Sequence, residues 1–133
     1  MQKKKRTLFF ALALIVSSIV QAQDEKWTAP EEADALVNPF SGDSKALTKG
    51  KKIYFQICAA CHGRTGIGDG STGNTLKKKP ADHTSALVQA QSDGVLFWKI
   101  SNGKGDMPNY SQLLSKTQRW QVIEYIRFLN KTD

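Results

Sequence analysis

Two cysteines and a histidine stand together in the stretch ICAACHGRTG, residues 57–66. Two residues separate Cys58 from Cys61, and His62 follows at once. Three chemistries use such a pattern: a redox-active dithiol, part of a zinc site, or covalent attachment of haem through two thioethers. Because the chain has 2 cysteines in all, both must serve the same chemistry.

The elements around the motif weigh against a dithiol and against zinc. A redox-active dithiol needs a lowered thiol pKa, which a helix N-terminus supplies. Helical spacing from Ser44, the expected cap, to about Cys58 instead places the cysteines at the end of a helix. A structural zinc ion needs four cysteine or histidine ligands, and outside the motif the chain supplies only His83.

Haem attachment suits the motif better. The two-residue spacing lets both sulfur atoms reach the two vinyl groups along one edge of the ring. The histidine that directly follows Cys61 then comes under the iron from one face. The motif therefore predicts covalent haem c, with His62 as an axial ligand of the iron.

A second axial ligand has to come from outside the motif. Met107 is the only methionine besides Met1, and it lies in GKGDMPNY, where glycines and a proline predict an irregular loop. A methionine that only fills the core normally lies on a helix or strand, so a ligand role for Met107 is favoured over gap filling. His83, in the polar segment KPADHTS, is the rival ligand, with a solvated histidine as the ordinary alternative.

The first 22 residues have the layout of a secretory signal peptide. A basic start, KKKR, precedes the apolar run Leu8–Val20, and Val20-Gln21-Ala22 forms a small-x-small pattern that predicts cleavage after Ala22. An uncleaved anchor, which would leave the protein membrane-associated, is the alternative, but the run spans about 20 Å against about 30 Å of hydrocarbon. Periplasmic export also suits thioethers, because an oxidising compartment would convert free cysteines into a disulfide.

Charge gives little support to nucleic-acid binding. The whole chain carries 19 basic and 12 acidic residues, a net charge of +7. Four of the basic residues lie in the predicted signal, so its removal leaves a net charge of +3. Nucleic-acid binding needs a concentrated basic face, which this chain does not display.

The rest of the chain divides into an arm and one helical domain. Residues 23–43 are polar and contain prolines, which predicts an extended arm or linker with a short turn at Glu31–Leu36. Residues 44–133 form the predicted domain, and no period-two strand is found. Further helices are expected at Ser92–Asn102, with Ser92 as its cap, and at Ser115–Leu129.

A glycine-rich loop follows the motif. Gly68–Gly73 spells G-x-G-x-x-G, but no strand precedes it and no helix follows, so a dinucleotide site is disfavoured. We expect instead that the glycines let the backbone approach the edge of the haem closely.

Together these stretches resemble the class I cytochromes c, in particular the small exported bacterial monohaem domains. The resemblance covers roughly Leu47–Asn130, and it implies an all-α fold in which N- and C-terminal helices cross around the covalently bound haem. The segments that carry it, in the family's order, are CAACHG at 58–63, GRTGIGDG after it, SDGVLFWKISNG at 92–103, DMP at 106–108 and RWQVIEYIRFL at 119–129.

The resemblance also implies roles for individual residues. Gly50 would let the crossing helices approach, with Tyr54 and Tyr125 as the aromatic residues at the crossing. A carbonyl of Pro80, or of its neighbour Lys79, would accept the second N–H of the haem histidine.

Trp98 would face the haem or a propionate, or it would simply pack in the core. The sequence alone leaves those two roles of Trp98 open.

The function implied is one-electron transfer without substrate chemistry, and so not an enzyme. Iron held by His62 and Met107 has no open position. The partners would be redox proteins, namely membrane respiratory complexes, rather than nucleic acids or small molecules. Lys77, Lys78 and Lys79 would steer an acidic partner, unless they are only a solvated loop. A monomer is favoured.

Two other functions stay open. The chain could be a subunit of a larger membrane oxidoreductase complex, held to a neighbour by Trp27, Pro30 and Phe40 of the arm. A haem peroxidase or gas sensor, from which Met107 departs, is less favoured because no distal acid–base group is evident.

Overall fold

The computed structural model describes residues 26–130, and the predicted signal peptide lies outside them. Within this range the chain is helical and contains no strand, apart from one isolated bridge between Lys104 and Met107. The all-α prediction is therefore confirmed. None of the helices in residues 26–130 combines the length and the apolar character that crossing a membrane requires.

The helices occur in the predicted order, with several short ones added. The π turn joins α2 and α3 without a break, and the 3₁₀ turns lie in the two loops that flank the site. The elements are α1 Glu31–Asp34, α2 Ser44–Ile53, a π turn Tyr54–Cys58, α3 Ala59–His62, a 3₁₀ turn Gly73–Thr75, α4 Ala86–Gln89, α5 Asp93–Asn102, a 3₁₀ turn Tyr110–Gln112 and α6 Lys116–Leu129.

Side-chain caps begin four of the α-helices, α2, α4, α5 and α6. Ser92 accepts a hydrogen bond from the Val95 amide, as the sequence predicts, and Ser115, for which no cap was predicted, forms a capping box with Gln118. The cap of α2 was predicted wrongly, because Asp43 caps this helix and Ser44 is its first residue. The Asp43 carboxylate accepts hydrogen bonds from two amides of the first turn and is the stronger acceptor there.

Helices α2 and α6 cross in close contact. A Cβ on Gly50 would lie 1.8 Å from the Gln121 carbonyl oxygen, so the crossing requires a residue without a side chain. Tyr54 is fully buried, and its ring packs edge-on against Tyr125 with centroids 5.0 Å apart. The roles that the resemblance implies for these residues agree with this geometry.

The end of the predicted arm packs against the domain. The Asn38 side chain is buried and donates to Glu124 Oε1 at 2.7 Å and to Asp93 Oδ2 at 3.0 Å. The Gly42 amide donates to Glu124 Oε2 at 3.0 Å. Trp27 lies beneath the Lys99 ammonium, 5.4 Å from it. The division of the chain at residue 43 stays a prediction.

Candidate functional site

The attachment motif lies where the first long helix changes its winding. The Ala59 amide donates to the Tyr54 carbonyl, five residues earlier, which makes one π turn. Such turns widen a helix locally and occur often at functional sites. Cys58 ends the π turn, Cys61 and His62 follow on α3, and Gly63 ends the helix with φ of +80°.

Cys58 is not activated as a nucleophile. Burial, together with the nearby Cys61, raises the pKa of the Cys58 thiol to about 12. A reactive dithiol needs the opposite shift. The prediction that a helix end does not activate these thiols agrees with this pKa.

His62 is oriented by one backbone carbonyl. Its Nδ1 lies 2.9 Å from the Ala81 carbonyl oxygen, so Nδ1–H donates and Nε2 is the nitrogen that can bind a metal. The acceptor predicted from the resemblance, Pro80 or Lys79, is therefore wrong. The Pro80 carbonyl turns instead toward Gly68, where a Cβ would lie 2.5 Å from the Pro80 oxygen.

Burial also affects the basicity of His62. It lowers the pKa of the imidazole, and the hydrogen bond to the Ala81 carbonyl acts in the opposite sense. A neutral imidazole is the form that binds a metal.

His83 lies on the same wall of the site as His62. The two rings are stacked, with centroids 4.0 Å apart and planes 19° from parallel. The Tyr54 hydroxyl is 3.0 Å from His83 Nδ1. Burial, and then the neighbouring His62, lowers the pKa of His83 to about 3. The ordinary expectation for a polar loop, a solvated histidine, is therefore wrong.

Met107 lies on the loop between α5 and the last 3₁₀ turn. It is half-buried, and its backbone exchanges two hydrogen bonds with Lys104, both 3.1 Å long. Gly103 begins the loop with φ of +65°, and a Cβ there would lie 2.4 Å from the Met107 carbonyl oxygen. This close approach explains the glycine before the predicted ligand.

Met107 and both histidines line one apolar cavity. Its volume is about 30 Å³, so its walls must move apart to admit a macrocycle. Tyr110, whose pKa burial raises to about 12, belongs to this lining and gave no sequence signal, because its 3₁₀ turn has no periodic pattern. The lining residues are Cys58, His62, His83, Ile100, Met107, Tyr110, Leu114, Val122 and Ile126. Trp98 is not among them, and it is half-buried.

The glycine-rich loop packs on the motif helix, and its contact with a haem edge stays a prediction. Amides of Gly68, Gly70 and Thr72 donate to the carbonyls of His62, Cys61 and Ala60, over 2.8–3.1 Å. The loop thus satisfies the carbonyls at the C-terminal end of α3 that have no partner within the helix. A Cβ on Gly70 would lie 2.3 Å from the Ala60 oxygen, so the glycine is required by backbone contact.

The residues present fit a covalently attached haem. Two thiols lie at the required spacing, one imidazole has Nε2 available, and one thioether lines the same cavity. The rest of the lining is mainly apolar, as a porphyrin needs. These residues could bind the haem and its iron.

Comparison with known proteins agrees with the fold and the motif. The family model described as "Cytochrome C oxidase, cbb3-type, subunit III" matches residues 45–126. The cbb3-type cytochrome c oxidase subunit CcoP of Azospirillum brasilense is 31% identical over 94 residues, which cover 70% of this chain and 32% of that subunit. Chloroplastic cytochrome c6 of Chlamydomonas reinhardtii is 30% identical over 97 residues, 70% of this chain and 60% of that protein.

A solved structure supports the fold in the same way. Cytochrome cL of Methylophaga aminisulfidivorans superposes with a TM-score of 0.55 at 18% identity, over 80% of this chain and 71% of that one. The chain spans less than two thirds of the length of the two curated relatives, CcoP and chloroplastic cytochrome c6.

The helical fold and the motif define a small class I cytochrome c that carries covalently bound haem c, a class that performs haem-based electron transfer. The chain belongs to the family of the cbb3-type cytochrome c oxidase subunit III. Cys58 and Cys61 fit its attachment motif, CxxCH.

Proposed function

We propose that the chain is an exported one-electron carrier whose haem iron is bound by His62 and Met107. The observation that carries the proposal is the single apolar cavity that both side chains line beside Cys58. His83 stacks on His62 and so lies on the same side of that cavity. This arrangement favours Met107, rather than His83, as the ligand opposite His62.

The chain's own residues set the properties of the site. Thioethers at Cys58 and Cys61 hold the ring, and the Ala81 carbonyl orients His62. The haem supplies the one-electron exchange at its iron. Apolar side chains and the Met107 thioether raise the reduction potential, because both disfavour the additional positive charge of the oxidised state.

The same geometry supports electron transfer over catalysis. With two axial ligands the iron has no open position for a substrate. His83 is buried and its Nδ1 is engaged by the Tyr54 hydroxyl, so it is not an available acid–base group. A peroxidase or gas sensor is thus less well supported than a carrier.

The partners we propose are respiratory redox proteins in the periplasm, met in short encounters. Lys77, Lys78 and Lys79 are exposed on the loop after the motif and can steer an acidic partner. Replacing all three by glutamine is expected to slow reduction by the partner and to flatten its salt dependence. Stopped-flow rates at several ionic strengths would test this, and unchanged rates and slopes would contradict it.

A subunit of a larger oxidoreductase complex is the second candidate, since the family's name is that of an oxidase subunit. Of the arm residues suggested as its attachment, Trp27 and Phe40 pack against the chain's own domain. Light scattering of the full mature chain separates the candidates, because a free carrier is expected to be monomeric.

Optical redox titration tests the proposed function itself. The exported protein should retain haem after denaturation, and it should titrate with a single one-electron step. The oxidised form should show the near-infrared band of methionine-bound ferric haem. A high-spin spectrum without this band would contradict ligation by Met107.

A further inference from the structure

His83 is a buried group for which the proposed electron transfer has no role. It is 9% exposed, and its ring covers a face of the His62 ring at a centroid distance of 4.0 Å. A polar ring is costly to bury unless its polar atoms are bonded. The position therefore needs a reason beyond filling space.

Bonds from several elements fix the place of His83. Its Nδ1 meets the Tyr54 hydroxyl at 3.0 Å, and its amide donates to the Gly66 carbonyl at 2.7 Å. Its carbonyl accepts from Gln89 Nε2 at 2.6 Å, and the same amide group donates to the Ile126 carbonyl at 3.0 Å. The π turn, the glycine loop, α4 and α6 are thus all connected to this one residue.

Glycine at position 66 leaves room for the Leu129 side chain beside the Tyr54–His83 pair. A Cβ there would lie 3.4 Å from the Tyr54 hydroxyl and 3.4 Å from His83 Cβ, and 2.7 Å from Leu129 Cδ1. Gly66 also has φ of +85°, which side-chain-bearing residues rarely adopt. The loop therefore needs glycine here for its backbone conformation and for Leu129, while a Cβ would be in ordinary contact with Tyr54 and His83.

His62 needs such a neighbour because its own hydrogen bond restrains it only in part. The bond from Nδ1 to the Ala81 carbonyl favours one direction of that nitrogen, but hydrogen-bond angles have a broad distribution, so the bond leaves the ring some rotation about Cβ–Cγ. A second ring lying flat against its face blocks this rotation.

We propose that His83 is a positioning residue that fixes the plane of the His62 imidazole, and that the Tyr54 hydroxyl holds His83 in place. The inference rests on the proposed function, in which His62 binds the iron. Its consequence is one defined orientation of the axial imidazole relative to the haem.

Electron paramagnetic resonance of the ferric protein tests this, because the g values of low-spin iron depend on the plane of an axial imidazole. His83→Phe keeps a flat ring, and His83→Leu has a similar apolar volume without one. The wild type should give one low-spin signal. His83→Leu should give a broadened signal or more than one, and His83→Phe, which keeps the flat ring but loses the bond to Tyr54, should broaden the signal less than His83→Leu.

Val88→Ala is the control for general loosening, since Val88 is buried on α4 and does not line the cavity. It should be less stable but keep the wild-type g values. A single wild-type signal in His83→Leu would overturn the inference.

If His83→Leu does not retain haem, the electron paramagnetic resonance signal of Tyr54→Phe tests the inference instead. A broadened signal supports the inference and an unchanged one overturns it. A wild-type protein without the methionine band would instead overturn the proposed ligation, so the two failures are distinguishable.

Discussion

The His62 side and the Met107 side of the candidate site differ in how their backbones are held. On the His62 side, loop amides bond to the carbonyls at the end of α3, the Ala81 carbonyl orients the imidazole, and His83 covers its face. On the other side, the backbone of Met107 is tied to Lys104 within a loop whose neighbouring residues are largely exposed.

This difference indicates which side adapts to the haem. The cavity of about 30 Å³ has to widen, and the side with fewer hydrogen bonds moves at lower cost. We expect the His62 side to be formed before haem insertion, and the Met107 loop to close over the ring afterwards. Variants on each side of the site test this expectation.

Removal of the methionine ligand should have the largest effect. Met107→Ala is expected to abolish the near-infrared band and to lower the reduction potential by on the order of 0.2 V, within the range of about 0.8 V that axial ligands set. Redox titration measures this. Leu113→Ala, at a position 66% exposed on the following turn, is the control and should keep the wild-type potential. An unchanged potential in Met107→Ala would exclude this ligand.

Two loop glycines compare the sides directly. Gly70→Ala would press a Cβ against the Ala60 oxygen at 2.3 Å, and should lower the free energy of unfolding by about 3 kcal/mol. Gly105→Ala has open space and meets only the strain of φ at +58°, which costs about 1 kcal/mol. Denaturant titration of both variants measures the difference. Equal losses would mean that the two sides are equally rigid.

Asn38 bonds to Glu124 of α6, the helix whose Val122 and Ile126 line the cavity. Asn38→Ala removes the buried donor to Glu124 and Asp93, and should cost about 2 kcal/mol of stability. Asn38→Asp places a third carboxylate there and should cost more. Thermal unfolding measures both losses. If Asn38→Asp were as stable as the wild type, the bonds from Asn38 to Glu124 and Asp93 would not stabilise the fold.

The smallest expected effect is a difference between two unfolding transitions of the wild-type holoprotein. The methionine band should disappear at a lower denaturant concentration than the helical circular dichroism, with an opening free energy at least about 1 kcal/mol below the global value. Coincident transitions would mean that the Met107 loop is as firmly held as the rest.

The features that sequence reasoning predicted well depend on residues that lie close together in the chain. The CxxCH motif is contiguous, and the Ser92 cap acts within three residues of its helix. Gly50 marked the helix crossing, because a glycine inside a helix is costly without a packing reason.

The parts that depend on the path of a loop were not predictable in this way. The choice of Ala81 over Pro80 as acceptor follows from where the chain turns after the glycines, and no local pattern encodes it. The burial of His83 likewise depends on Tyr54, 29 residues away along the chain.

Near-infrared magnetic circular dichroism of the ferric protein tests the central claim most directly, because the energy of its charge-transfer band identifies both axial ligands. Ligation by His62 and Met107 predicts the band of histidine–methionine haem. A band of bis-histidine haem would contradict the account, since it would place His83 on the iron in place of Met107.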